Sequence, residues 1–166
     1  MEDLIYNQRK IPKNKWRYGF RSSAATGCGW IAVYNALFLM GHRESPEKLV
    51  RNFTWRLPLV NGNFGTSIFS PVFYFKQHGF QTKIRFGRRK FDETLKESDA
   101  GVLFYFWRNK FRFGAHFVAV EYKDGKVIGY NTYRNSSGPD VLGGSLSGFL
   151  KKRKYFCSML IGVRNK

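Results

Sequence analysis

The dipeptide Asp124-Gly125 constrains the fold of this chain more than any other feature of its sequence. Two runs rich in strand-forming residues flank it, one before and one after: residues 115–122 and 127–133. An Asp-Gly pair between such runs is the strongest local signal of a two-residue type I′ hairpin turn. The sequence therefore predicts two adjacent antiparallel strands whose register is set by this turn.

That register brings two polar residues to one face of the hairpin. With Lys123 opposite Lys126, Val118 lies opposite Asn131, and His116 lies two positions from Val118 on the same face. Diagonal neighbours in a sheet have Cα atoms ~7–8 Å apart, with their side chains within reach of each other. The Asn131 carboxamide is therefore expected to accept the imidazole N–H of His116 and to orient the ring. Asn135, in the following loop, is the alternative orienting residue.

A cysteine near the N-terminus stands at the predicted start of a helix. Apolar residues recur with helical spacing from Gly27 to Met40, and Thr26 fits the N-cap position. Cys28 then lies in the first turn, where free N–H groups and the helix dipole favour an anion. We expect this position to depress the pKa of the Cys28 thiol and to favour a nucleophilic thiolate.

Taken alone, each of these residues has an ordinary structural explanation. Most lone cysteines are small core residues, and a strand histidine or asparagine is usually structural. The combination of Cys28, His116 and Asn131 instead favours a nucleophile, a base and an orienting group. Cys157 is expected in the core of a final strand over residues 155–163, and His42 and His78 at helix ends are explained by the helix dipole.

The remaining pattern predicts helices first and an antiparallel sheet second, which is an α+β arrangement. An extended arm over residues 1–25 precedes the helices. Loops that shape a cleft are expected at 56–65 and 134–144. Further helices are predicted at 45–53, 66–78 and 91–97, and further strands at 80–86 and 102–107.

The length and composition limit the classes of function. At 166 residues the chain is expected to form one domain over 1–166. No apolar run approaches the ~20 residues of a membrane span, and the first residues lack the apolar segment of a signal peptide, so a cytoplasmic location is expected. The three histidines and two cysteines show no metal-ligand spacing, so no metal is expected. The net charge of +18 makes nucleic acid a possible partner, with a solvated basic surface as the favoured explanation.

The chain resembles papain-like cysteine peptidases in four features. These are the helix start at Cys28-Gly29, the small residue before His116, the aliphatic strand after His116, and Asn131 beyond a hairpin. The bacterial branch related to peptidases that cut double-glycine leaders is the most similar. The resemblance implies that Cys28 is the nucleophile, His116 the general base and acid, and Asn131 the group that orients His116. It also implies a peptide or protein substrate, no cofactor, and a cleft between helix and sheet.

The resemblance leaves the oxyanion donor open. Such enzymes usually carry a glutamine several residues before the cysteine, and none stands in residues 21–27. Gln8 is expected to reach the site only if the arm folds back. Ser22 or Ser23, together with the backbone N–H of Cys28, are the other candidates.

Two further functions remain open at this point. The same three residues also suit acyl transfer to an amine, which the sequence does not separate from hydrolysis. The second is a basic module on an inactive peptidase scaffold that binds nucleic acid or another polyanion. Aromatic and basic residues alternate over 106–113, as in proteins that stack bases, although a strand with a cleft-rim loop explains this segment better. The sequence gives no indication of the oligomeric state.

Overall fold

The computed structural model describes residues 3–55, 66–108 and 112–166. A short 3-10 helix over Gln8–Lys10 opens the chain. The helices are α1 (Ser23–Thr26), α2 (Cys28–Leu39), α3 (Pro46–Trp55), α4 (Ser70–Gln77), α5 (Phe91–Lys96) and α6 (Leu146–Lys152). The strands are β1 (Arg17–Tyr18), β2 (Arg21–Ser22), β3 (Gln81–Phe86), β4 (Ala100–Arg108), β5 (Phe113–Lys123), β6 (Lys126–Tyr130), β7 (Asp140–Gly143) and β8 (Phe156–Arg164).

Six of these strands form one antiparallel sheet in the order β3-β8-β4-β5-β6-β7. The strand predicted over 102–107 is β4, which lies between β8 and β5. The prediction of an α+β fold with helices packed on an antiparallel sheet is confirmed. Strands β1 and β2 pair separately in the arm.

Alternation along the strands divides the core between the two faces of the sheet. Phe117 and Ala119 of β5 pack with the cluster that contains α2, whereas Val118 and Val120 pack with the cluster that contains Leu150 of α6. Successive side chains of a strand point to opposite faces, which produces this division. The sheet is therefore covered on both sides.

Helix α2 is buried around its whole circumference, because every residue from Gly29 to Leu37 is buried. A helix that is apolar on all sides belongs inside a core. Its buried polar residue, Asn35, is hydrogen-bonded to the arm: Ile5 N donates to Asn35 Oδ1 at 2.9 Å, and Asn35 Nδ2 donates to Ile5 O at 2.9 Å. Helix α2 thus anchors the N-terminal arm.

The hairpin has the predicted register. Lys123 faces Lys126, and both turn residues, Asp124 and Gly125, have the positive φ of a type I′ turn, at 50° and 75°. The ladder ends at Tyr130, opposite Ala119. The next residue, Asn131, leaves the strand in the left-handed region, and its orientation is set by that backbone turn.

The other predicted elements are found with shifted ends. The helix predicted over 66–78 is shorter, Ser70–Gln77, because Pro71 takes its first turn, where a missing N–H costs nothing. The N-cap of α2 is Gly27, not Thr26. The arm contains β1 and β2. Strand β7, which lies within the predicted loop 134–144, and helix α6, which follows that loop, were not predicted. The predicted loop 56–65 lies outside the described residues.

Candidate active site

Cys28 is the first residue of α2 and is half-buried. Gly27 joins α1 to α2: its N–H donates to Ser23 O at 2.9 Å, and its carbonyl accepts from Ile31 N at 3.1 Å. A Cβ at this position would lie 2.6 Å from both Ser23 O and Trp30 Nε1, so only glycine fits. The junction fixes where the cysteine stands relative to the sheet.

Gly29 lets a neighbouring side chain approach the helix start. A Cβ on Gly29 would meet the Thr66 hydroxyl at 2.2 Å. The same hydroxyl donates to the Tyr18 OH at 3.1 Å. Burial raises the pKa of Tyr18 to about 12, although the hydrogen bond from Thr66 opposes this shift, so the phenol stays neutral.

The expectation of a depressed thiol pKa is wrong. Burial of the sulfur raises the pKa of Cys28, and hydrogen bonds from the backbone of Phe117 and Gly29 offset only part of this effect. Removing a thiolate from water costs more than these donors return. The contact with Phe117 places the sulfur beside the residue that follows His116.

His116 is half-buried on β5, directly opposite Tyr105 of β4. Its Nε2 lies 2.7 Å from the main-chain carbonyl of Asn131. A carbonyl only accepts, so Nε2 carries the proton of the neutral ring and Nδ1 keeps the lone pair. Burial lowers the pKa of His116, which favours this neutral form.

Asn131 contacts His116 through a different atom from the one expected. The sequence analysis expected the carboxamide to accept from the ring, but the main-chain carbonyl does so. The carboxamide instead binds Gln8 twice: Gln8 N donates to Asn131 Oδ1 at 2.8 Å, and Asn131 Nδ2 donates to Gln8 Oε1 at 3.1 Å. Because the backbone of Asn131 is left-handed, at φ 63°, its carbonyl is directed to His116 while its carboxamide is directed to Gln8. Asn135, the alternative orienting residue, is exposed.

The arm folds back and delivers Gln8 to the site. Asn7 Nδ2 donates to Arg134 O at 2.8 Å and to Ser136 O at 3.2 Å, which ties the arm to the loop after β6. Gln8 Nε2 then donates to Ala24 O at 3.2 Å, one helical turn before the cysteine. The amide group of Gln8 therefore bridges α1 and Asn131.

The two serine candidates for the oxyanion site have other surroundings. Ser23 is buried, and its hydroxyl contacts Trp16 O and accepts from Trp30 Nε1 at 3.1 Å. Ser22 flanks α1 as its N-cap residue and makes no capping bond with its side chain. Neither residue lines the cleft that contains Gln8 and His116.

A cleft of about 490 Å³ opens over this site. Gln8, His116 and Asn131 line it, together with Ala25 and Tyr105. Cys28 lies beside this cleft, not on its wall. Apart from Ala115, the remaining lining residues are polar, basic or aromatic: Asn7, Arg9, Trp107, Arg112, Thr132, Tyr133, Arg134 and Tyr155.

The aromatic wall of the cleft was not predicted. Tyr105 stacks on Tyr155 with ring centroids 4.3 Å apart, and its ring is edge-to-face with that of His116, with centroids 6.1 Å apart. Tyr105 falls in the predicted strand over 102–107, but its pairing with His116 depends on the register between β4 and β5. No tight turn of known type fixes that register in the sequence.

The remaining histidines and the second cysteine lie elsewhere. His42 Nε2 is 2.8 Å from Asn165 Oδ1, and His78 Nδ1 is 2.8 Å from Tyr74 O at the end of α4. Cys157 is exposed, so the expectation that it lies in the core is wrong; its φ of 43° turns it out of the regular strand. In residues 3–55, 66–108 and 112–166, no cluster of metal-ligating side chains occurs and no helix is long and apolar enough to cross a bilayer.

A helix that begins at a cysteine and packs on an antiparallel sheet bearing a histidine is the architecture of a papain-like peptidase domain. The peptidase domain of Streptococcus ComA, a bi-functional ABC transporter involved in a quorum-sensing pathway, has this fold: its TM-score to this chain is 0.54, at 16% identity. The alignment covers 86% of this chain and 93% of that domain. No family model and no curated protein matches the sequence. The papain-like fold that the resemblance implied is thereby confirmed.

Proposed function

We propose that the protein is a papain-like cysteine peptidase that cleaves a peptide or isopeptide amide bond through an acyl-enzyme. Cys28 is the nucleophile, and His116 is the general base and then the general acid. The carrying observation is the hydrogen bond from the Phe117 backbone to the Cys28 sulfur. The sulfur thus contacts Phe117, the residue that follows His116 in β5, and the His116 imidazole is held at Nε2 by Asn131 O.

The pKa shifts define how the thiol is activated. Burial raises the pKa of Cys28 and lowers that of His116, so the pair rests as a thiol and a neutral imidazole. The thiol proton then passes to Nδ1 of His116 as the sulfur attacks the scissile carbonyl. The Asn131 carbonyl holds the Nε2–H and stabilises the imidazolium that forms.

The imidazolium completes the cycle. It donates its Nδ1 proton to the leaving amine, and the C–N bond breaks to leave a thioester on Cys28. A water molecule then gives its proton to His116 and attacks the thioester, which releases the acid and restores the thiol.

Gln8 supports the negative charge that develops on the substrate oxygen. Its Nε2 donor is held near the helix start by a long bond of 3.2 Å to Ala24 O, which a stronger bond to an oxyanion can replace. The backbone N–H of Cys28 supplies the second donor. Asn131 positions Gln8 through its two hydrogen bonds and so serves both the oxyanion site and the base.

The test uses a Cys157→Ser background, because the exposed thiol of Cys157 reacts with any cysteine reagent. A quenched peptide library blocked at both termini is incubated with this protein and with its Cys28→Ala and His116→Ala variants. We expect cleavage by the parent and none above background by either variant. Cleavage that survives Cys28→Ala would overturn the proposal.

Hydrolysis and acyl transfer are separated in the same assay. Adding a small primary amine and analysing the products by mass spectrometry shows whether water or amine takes the acyl group. Hydrolysis predicts free acids as the main products at millimolar amine. Predominant amide products would instead identify an acyltransferase with the same catalytic residues.

A polyanion-binding module is the second candidate, and the exposed aromatic rings near the end of β4 favour it. Phe113 is 64% exposed and stacks on Phe106 with ring centroids 5.3 Å apart, beside the basic end of that strand. This function predicts binding of single-stranded oligonucleotide that survives Cys28→Ala and falls steeply with salt. Retained binding together with an absence of peptide cleavage would favour it over the peptidase.

A further inference from the structure

We infer that the cleft selects peptides that carry acidic side chains close to the scissile bond. This inference rests on the proposed peptidase function and names its substrate class. It derives from three observations: the positive charge of the cleft wall, the hydrogen bonds of Asn7 that hold Arg9 and Arg134, and the stacking of the aromatic rings in the wall.

The wall of the cleft carries positive charge. Three arginines line it, Arg9, Arg112 and Arg134, and none of its described lining residues is a carboxylate. A cleft lined by one sign of charge focuses the field and attracts a ligand of the opposite sign.

Arg9 and Arg134 are brought to the cleft by one buried residue. Asn7 Oδ1 accepts from Arg9 N at 3.0 Å, and Asn7 Nδ2 donates to Arg134 O at 2.8 Å. Asn7 is 7% exposed, whereas the arginines it holds are both exposed. The main chains that carry these two exposed arginines are therefore held together at the cleft by a built contact between the arm and the loop after β6.

The chemistry of these cations favours carboxylates. All three are arginines, whose planar guanidinium groups bind a carboxylate through two parallel hydrogen bonds. The neighbouring wall adds the phenol of Tyr133, whose oxygen accepts from Arg153 at 3.2 Å and which keeps its own proton to donate. Aspartate or glutamate side chains of a bound peptide fit this combination of guanidinium groups and a nearby hydroxyl group.

The aromatic residues of the cleft favour a peptide over a nucleic acid. Tyr105 is buried and stacks on Tyr155 with an interplanar angle of 4°, and Arg153 lies 5.0 Å above the ring of Tyr133. Base recognition in single strands needs exposed ring faces. These rings already stack on one another or on a cation, so they serve as a wall.

The first arm of the test needs no substrate. Alkylation of Cys28 by iodoacetate, an anion, is compared with alkylation by neutral iodoacetamide in the Cys157→Ser background, followed by intact mass. We expect the iodoacetate to iodoacetamide rate ratio to fall about threefold or more in Arg9→Gln/Arg134→Gln. The matched control Lys123→Gln, at the hairpin turn, leaves the ratio unchanged.

The second arm measures selection directly. Peptides blocked as N-terminal acetyl and C-terminal amide carry Asp, Asn or Lys at each position around the cleaved bond. We expect acidic members to have the highest kcat/KM, and the acidic to neutral ratio to fall about tenfold in Arg9→Gln/Arg134→Gln. A free C-terminal acid in place of the amide tests whether a terminal carboxylate is the group recognised.

The outcomes separate this inference from the proposed function. No cleavage of any peptide, with Cys28 alkylation independent of His116, contradicts the peptidase itself. Cleavage with equal kcat/KM for acidic, neutral and basic peptides overturns the acidic preference alone. Inhibition by a single-stranded oligonucleotide combined with no acidic preference assigns the charge to nucleic acid and also overturns it. An acidic preference lost with the two arginines supports the inference.

Discussion

The carboxamide of Asn131 holds both the main chain and the side chain of Gln8, at 2.8 and 3.1 Å. The main-chain carbonyl of Asn131 meanwhile accepts from His116 at 2.7 Å. One residue thus connects the N-terminal arm to the histidine strand. This connection makes the arm part of the proposed active site, and it makes the effects of several substitutions predictable.

Gln8→Ala is expected to lower kcat on the best library peptide by roughly 10²–10³, the usual cost of losing one oxyanion donor. Gln8→Glu, of similar shape but without the donor, is expected to lose as much. Ser22→Ala is the matched control and should retain nearly full kcat, because Ser22 does not line the cleft. Equal losses in Ser22→Ala and Gln8→Ala would refute the assignment of Gln8.

Asn131 is expected to act through Gln8. Glycine readily adopts the φ of 63° found at Asn131. The substitution Asn131→Gly therefore retains the carbonyl that binds His116 but removes both side-chain hydrogen bonds to Gln8. We predict a fall in kcat of about tenfold for Asn131→Gly, and a double variant with Gln8→Ala that loses no more than Gln8→Ala alone. Additive losses in this double-mutant cycle would show that the two residues act independently.

The raised pKa of Cys28 predicts the pH profile of its alkylation. In the Cys157→Ser background, the iodoacetamide rate is expected to keep rising with pH through and above the ordinary thiol pKa, because burial favours the protonated form. Because the pKa of His116 is lowered, its imidazole stays neutral to below pH ~6.5, and kcat/KM is expected to fall only at more acid pH. A rate plateau already reached near pH 6 would instead indicate a preformed thiolate–imidazolium pair.

Gly29→Ala is expected to destabilise the protein, because the new Cβ would meet the Thr66 side chain at 2.2 Å. Overpacking of this kind costs about 1–3 kcal/mol in the free energy of unfolding. At ~2–4 °C per kcal/mol, the melting temperature should fall by several degrees. Gly144→Ala is the matched control, since a Cβ there meets nothing within 4 Å. Equal melting temperatures for both variants would contradict this packing.

Local pattern was sufficient where a short segment carries its own geometric rule. The Asp124-Gly125 turn fixed the β5–β6 register, since a type I′ turn leaves one pairing of the flanking strands. The helix at Cys28 was likewise readable from its spacing. The pairing of Tyr105 with His116 was not, because the sequence between these two strands carries no dipeptide that is typical of a tight turn of known type.

The position of Asn131 was predictable, but the direction of its side chain was not. Strand alternation places it near His116, yet the ladder stops at Tyr130 and the left-handed turn redirects the carboxamide to Gln8. A strand pattern does not indicate the residue at which the strand ladder ends and hydrogen bonding to a distant arm begins. The same limit applies to Cys157, whose positive φ exposes a residue that the apolar run placed in the core.

The sequence by itself determined the hairpin register, the α+β order of elements and the residue types of a thiol, an imidazole and an amide. Tertiary structure alone decided the protonation of the thiol, since burial of the sulfur outweighs the local backbone donors. It also decided that Gln8 joins the site, because the arm is held by Asn35 and Asn7 through contacts far apart in the chain. Periodicity and turn chemistry act over a few residues, whereas desolvation and long-range hydrogen bonds exist only once the whole chain has packed.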